Sequence, residues 1–196
     1  MNHSLSGPPP GKVATSQVRR AQHFVENVAR ARALVGYTPE DEQLVKVSAG
    51  AVLPHADEVA RALYQHLLSR PETALYFTLA DGRPDSAHIA ARVDSLKAWL
   101  LHVIDSPLDE RAVQYAAGVG QAHVRRSEGG SPSVKGRYMV ASMAFLLAAL
   151  TPFMADVIDD RRDLASTIVA WDKLLTIHLD LFLAVQASAA KTPHWY

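Results

Sequence analysis

The stretch VKGRYMVASMAFLLAAL, residues 134–150, is nearly apolar throughout, interrupted only by Lys135, Arg137 and Ser142. It reads as a helix buried on most of its sides, with Pro132 permitting its start and Thr151-Pro152 bending or ending it. Behind it, Ile168, Trp171, Leu175, His178 or Leu179, and Phe182 recur on one face of a long final helix from Leu164 to Val185.

Working back towards the N-terminus, the same periodicity repeats. Ser106-Pro107-Leu108-Asp109 caps and opens a helix to about Arg126, closed by Gly129-Gly130. A helix opened by Asp85 or Ser86 carries Ile89, Val93, Leu96, Leu100 and Val103 on one stripe with Trp99 beside it, after the loop Asp81-Gly82-Arg83-Pro84. Glu72 to Phe77 supplies one or two turns. From Pro54 to Ser69, Val59, Leu63, Leu67 and Ala60, Tyr64, Leu68 form two adjacent rows, a broad buried face that includes Tyr64. Thr38-Pro39-Glu40-Asp41 opens a short helix to about Ser48: Thr38 caps, Pro39 needs no amide partner, and the acids meet the positive end of the helix dipole. Ala21, Phe24, Val28, Ala31 and Val35 mark an earlier helix ending at Gly36, and residues 1–14, rich in Ser, Gly and Pro, read as a flexible arm. The sum is an all-α chain of seven or eight helices, one domain over residues 15–196. Stripes of unequal width and helices of unequal length suit a globin-like packing of crossed helices better than a symmetric four-helix bundle.

Composition narrows the function classes. The 196 residues are 48% hydrophobic and 20% charged, enough to bury a core. Twenty Lys+Arg balance twenty Asp+Glu, so there is no basic surplus to draw the chain to nucleic acid or an anionic membrane. The absence of cysteine excludes disulfides, thiolate nucleophiles, Cys-containing zinc sites, iron–sulfur clusters, and covalent c-type or Cys-ligated haem. The N-terminus is polar with Pro8-Pro9-Pro10, and no later stretch is expected to reach about 18 uncharged apolar residues, so the expectation is a cytoplasmic protein with no membrane partner.

The chain has no Gly-x-Ser-x-Gly, no phosphate-cradling glycine loop and no His-Glu-x-x-His. Its nine histidines include no pair three or four apart, so no single helix offers a two-His metal clamp. A metal held by one protein imidazole is still open, and that is the arrangement by which haem iron is anchored in globins. His3, His23, His55, His88 and His194 have polar or terminal surroundings and are expected at the surface. His66, His102 and His178 belong to amphipathic helices, at the edge of an apolar face or in the core. His123 differs: Ala112, Ala116, Val119 and Gly120 form a strip of small side chains leading up to it, and Gly118 and Gly120 each cost a helix about 1 kcal/mol against alanine. Such a strip lets either a neighbouring helix or a flat rigid group approach closely. Tyr64, on a buried face, either bonds a carbonyl or water, or donates to a ligand in a pocket whose walls would include Leu96, Leu100 and Tyr76-Phe77.

At these residues the chain resembles a known family. Thr38-Pro-Glu-Asp-Glu, Leu63-Tyr64, Tyr76-Phe77-Thr78 with Asp81-Gly82, Lys97-Ala98-Trp99, Tyr115 with Val119-Gly120-Gln121-Ala122-His123, and Gly136-Arg137-Tyr138 occur in the order typical of protoglobins and the related haem domains of globin-coupled sensors, across roughly residues 16–187. The resemblance implies a globin-like fold with an extra N-terminal helix and a haem b cofactor (iron protoporphyrin IX) with His123 as its metal ligand. It puts Tyr64 at the distal hydrogen-bonding position and Phe77 and Leu96 on the distal side. Trp99, Tyr115 and Val119 join the pocket, and Met139, Ser142 and Leu146 belong to a helix bordering the haem. Leu63, Leu96 and Ser142 stand where well-known members carry aromatic residues, which implies a roomier pocket.

The function expected is binding of the diatomic gases O₂, CO or NO, for sensing, storage or detoxification, in a homodimer joined through the last two helices. Two alternatives come from other classes. One is a haem enzyme using the same iron, with peroxidase, NO dioxygenase or carbene- or oxygen-transfer activity. The other is a haem-free helical module that docks a partner.

Overall fold

The computed structural model describes residues 26–79, 81–105, 108, 114–115, 118–120 and 134–189. The arm expected over residues 1–14 and the start of the first helix lie outside them. Among the described residues there is no strand, only an isolated bridge between Thr78 and Pro84 that closes the loop around Gly82. The order is α1 (26–35), α2 (Pro39–Val52), a 3₁₀ turn Leu53–His55, α3 (Ala56–Leu68), α4 (Pro71–Ala74) running into a 3₁₀ turn Leu75–Phe77, α5 (Ser86–Asp105), helical pieces at 114–115 and 118–120, α6 (Gly136–Ala155) and α7 (Arg161–Ala189).

The start of α2 forms as its sequence dictates. Thr38 Oγ1 accepts from the Asp41 amide at 3.3 Å while Asp41 Oδ2 accepts from the Thr38 amide at 2.8 Å, a reciprocal cap that satisfies two otherwise orphaned donors. Gly36, at φ 63°, ends α1 in the left-handed conformation that a side chain would strain. Asp85 Oδ1 accepts from the His88 amide and so opens α5.

Three helices end differently from the sequence expectation. α2 continues past Ser48 to Val52, because Ser48 turns its hydroxyl back onto the Leu44 and Val45 carbonyls and does not break the ladder. α6 runs through Pro152 to Ala155: the proline sits in the last turn, where little ladder remains to lose, and the Thr151 hydroxyl bonds the Leu147 carbonyl at 2.8 Å. α7 extends over Arg161–Ala189, further at both ends than the apolar run from Leu164 to Val185. A fourth correction concerns composition. Residues 138–155 contain no charge, and α6 is long and apolar enough to cross a membrane by length and composition alone. Here it packs against α2, α3 and α7, with Met139, Leu146, Leu150 and Met154 in the core.

The tightest packing lies where α2 and α6 meet α7. Trp171, fully buried, donates its indole N–H to Ser48 Oγ at 2.9 Å, tying α7 to α2 across 123 residues. Two residues along α7, Lys173 Nζ donates to both Asp41 carboxylate oxygens, at 3.1 and 2.9 Å, and to the Gly36 carbonyl at 2.9 Å. Burial raises the Asp41 pKa, but the hydrogen bonds from Lys173 and the Thr38 amide outweigh it and hold the carboxyl below its ordinary value. α3 crosses α5 on the other side of the molecule, and between these two packed regions the helices stand apart.

The Trp171 bond gives a stability test. Ser48→Ala leaves a buried indole N–H without its acceptor, which costs roughly 1–3 kcal/mol. Urea unfolding should show an unfolding free energy lowered by that amount, read as a lower midpoint at unchanged slope; an unaltered midpoint would show that the bond contributes nothing.

Candidate functional site

Where the helices stand apart lies a cavity of about 540 Å³, bounded by α3, α5, the helical pieces around 114–120, α6 and Phe182 of α7. Its size falls within the range of small-molecule and cofactor sites. α3 contributes Leu63, Tyr64 and Leu67 from the two rows of its buried face, and the turn after α4 adds Tyr76 and Phe77. α5 presents His88, Arg92, Ser95, Leu96 and Trp99, residues three or four apart and therefore on one side of the helix. Opposite stand Tyr115, Gly118 and Val119, and α6 closes the space with Met139, Ser142, Met143 and Leu146.

Of the residues singled out in the sequence, Tyr64, Phe77, Leu96, Trp99, Tyr115, Val119, Met139, Ser142 and Leu146 all line this one cavity. His123 lies outside the described residues, as do His3, His23 and His194. The remaining histidines divide. His55 is half-buried and stacked on Phe153, ring centroids 3.8 Å apart, and His66 is exposed and stacks on Phe145 at 4.9 Å. His102 lies 4.9 Å from the Tyr115 ring, and His178 is buried against Trp99 and Phe182. His88, expected at the surface, is half-buried instead. It lines the cavity with its ring 5.9 Å from that of Phe77, because the first turn of α5 lies over the Phe77 wall and not in open solvent.

The chemistry of the walls is uneven. Most are apolar or aromatic, with Phe77 edge-on to Tyr64 at 5.5 Å. The Tyr64 hydroxyl makes no hydrogen bond among the described residues, and burial pushes its pKa up to about 12, partly opposed by the positive charge of Arg92. It is therefore a neutral donor near pH 7. Burial also lowers the His88 pKa, the Arg92 charge lowers it further, and Asp85 acts against both. Arg92 Nε and Trp99 Nε1 are buried without a hydrogen-bond partner among the described residues. Unsatisfied buried donors around a roomy apolar space are what a bound group with its own acceptors would complete.

Arg92 is the functional candidate the sequence reading missed. Its signal was its position four residues before Leu96 and four after His88, on the cavity side of α5 and next to the apolar stripe that marks the core side. The two glycines before His123 also separate. A Cβ on Gly120 would lie 2.9 Å from Val185 Cβ and 3.3 Å from the Phe182 carbonyl, so this glycine serves the close approach of α7. A Cβ on Gly118 would meet nothing within 4 Å, and Gly118 opens onto the cavity. Each of the two readings of the small-residue strip thus fits a different glycine. Among the described residues no cluster of three or more His and carboxylate side chains could hold a bare metal ion.

The model of the Protoglobin family matches residues 25–191. Among solved structures, the globin domain of the Geobacter sulfurreducens globin-coupled sensor superposes with a TM-score of 0.63 at 21% sequence identity, covering 80% of this chain and 95% of that one. That likeness shows a shared fold. No curated protein matches the chain significantly.

The glycine pair yields a contrast. Gly120→Ala should destabilise by roughly 1–3 kcal/mol through the clash with α7, whereas Gly118→Ala should be neutral or stabilising by up to about 1 kcal/mol. Equal effects in chemical denaturation would contradict the division of roles.

Proposed function

The chain belongs to the protoglobin family, and from that premise we propose that it is a haem b protein that binds O₂, CO or NO, with His123 as the protein ligand to iron. The observation that carries the reading is that nine residues which the family resemblance assigns to a haem pocket, from α3, α5, α6 and the stretches between, line one cavity of cofactor size. The cavity's chemistry fits the group: flat apolar and aromatic walls for a porphyrin, and the unpartnered Arg92 and Trp99 donors for polar atoms.

Haem would supply an iron with an open coordination position for a diatomic ligand. The chain's residues do the rest. Leu63, Leu96, Phe77 and Leu146 exclude water from the cavity and leave it roomy, since none of the four is larger than a single ring. Tyr64, kept protonated by its burial, offers a hydroxyl donor to a ligand carrying partial negative charge. Such a hydrogen bond contributes roughly 0.5–1.5 kcal/mol, which tunes affinity by about tenfold at most. Gly118 leaves room for close approach of a rigid group to the helical piece 118–120.

The finer proposal includes a homodimer through α6 and α7. Only four residues of α6 are buried within one chain, although residues 138–155 carry no charge, and Val140 on α6 and Val169 on α7 are each 49% exposed. An apolar surface of this kind is what a two-fold interface covers.

Two measurements test these statements. Protein supplied with haem should take it up one to one and, when reduced, bind CO with the spectral change of a five-coordinate ferrous haem. His123→Ala should lose haem or hold it only with added imidazole, and unchanged uptake and spectrum in that variant would refute the ligand assignment. For assembly, sedimentation at tens of micromolar should give a dimer that the paired change Val140→Lys with Val169→Lys converts to monomer; a monomeric wild-type chain would remove the proposal.

A further inference from the structure

Arg92 stands half-buried on α5 with no hydrogen bond or ion pair among the described residues, while its Nε is shut away from solvent. Arg32, Arg61 and Arg83 each have a carboxylate within 4 Å, and Arg137 lies over the Tyr138 ring. A guanidinium that gives up part of its hydration without such a partner is costly, and the cost is recovered only if something else brings the negative charge. The cavity is the space it faces, and the neighbouring walls hold no carboxylate: the residues lining it are apolar, aromatic, hydroxyl or amide groups apart from His88 and Arg92 itself. The Arg92 charge is felt at both the Tyr64 hydroxyl and the His88 ring, so the three share one region of the cavity.

We infer that Arg92 makes this region of the cavity an anion subsite, taking a carboxylate or a small oxyanion through its planar fork of donors. The fork matches two acceptor oxygens at once, and arginine remains charged at every physiological pH. Tyr64 adds a neutral donor beside it. Two sources present that chemistry: a carboxylate carried by the bound porphyrin, or a free anion such as nitrite entering above it. The identity of the source rests on the haem reading, but the existence of the subsite does not.

The subsite is therefore tested first on the full chain without haem, with a matched pair of fluorescent probes. Anilinonaphthalene sulfonate carries one negative charge; N-phenyl-1-naphthylamine has the same rings and none. The wild type should bind the sulfonate about tenfold more tightly than Arg92→Leu does, and Arg92→Lys should recover much of the difference. The neutral probe should bind all three alike, which also reports an intact cavity. Equal binding of the sulfonate by wild type and Arg92→Leu, with neutral-probe binding preserved, overturns the inference.

With haem supplied, two arms separate the sources. If Arg92→Leu weakens binding of haem but not of its dimethyl ester, the partner is the porphyrin's own carboxylate. If haem binding is unchanged and nitrite affinity of the ferric protein falls about tenfold while CO affinity of the ferrous protein stays, the partner is a free anion. Both properties unchanged in a chain that takes up haem would refute the subsite in the loaded protein. Failure of the wild type to take up haem would instead refute the haem reading and leave the probe comparison to decide the subsite.

Discussion

A space of about 540 Å³ inside a chain of 196 residues is the constraint around which the other features arrange themselves. Interiors pack as densely as organic crystals, and a void forfeits contacts on every wall. Water entering it meets leucines, phenylalanines and methionines that offer few hydrogen bonds. The helices must be held apart by packing elsewhere, and a group that fills the space restores many of those contacts on binding.

The holding is done at a distance. α7 is anchored to α2 by the Trp171–Ser48 bond and the Lys173–Asp41 pair, and to α6 by core residues such as Leu150, Met154, Leu174 and Leu181. Those contacts fix one half of the molecule tightly enough that α3 and α5 can cross above the cavity and leave it open. Trp99 and Phe182 are the join between the halves: both line the cavity, both belong to the buried cluster, and their rings lie 6.0 Å apart. A change in what fills the cavity would reach α7 through this pair, since packed rings have few alternative arrangements.

What the sequence disclosed follows from how local its causes are. The cap at Thr38, the stop at Gly36 and the apolar rows of α3 are settled within a turn or two, and the reading of those residues matches the structure. The far end of α2 was placed too early, at about Ser48, and Thr151-Pro152 left open whether α6 bends or ends there. Their effect depends on a back-bonded hydroxyl in one case and on nearness to the helix end in the other. The apolar cavity residues were legible as buried faces, and the family resemblance, which the match over residues 25–191 supports, gathered them into one site. Arg92 and His88 were not legible. On a helical wheel they border the core stripe of α5, and only the position of Phe77 and α3 turns that border inward. A charged residue beside an apolar stripe ordinarily snorkels to solvent, so the spacing that aligns Arg92 with His88 and Leu96 does not by itself tell a cavity-facing residue from a solvated one.

The ionisation states in the cavity argue for a constant environment, not a switch. Tyr64 is driven by burial to about 12, far above neutrality, and so donates its proton in hydrogen bonds across the physiological range. No protein environment readily deprotonates a guanidinium. Among the described residues His88 is the one imidazole lining the space, and burial together with the Arg92 charge lowers its pKa, which favours the neutral ring at pH 7. Protonating it would place a second positive charge in the region that already holds Arg92. The donors facing the cavity therefore keep the same number and charge through mild changes in pH, and selectivity among ligands rests on their size and charge against a fixed wall.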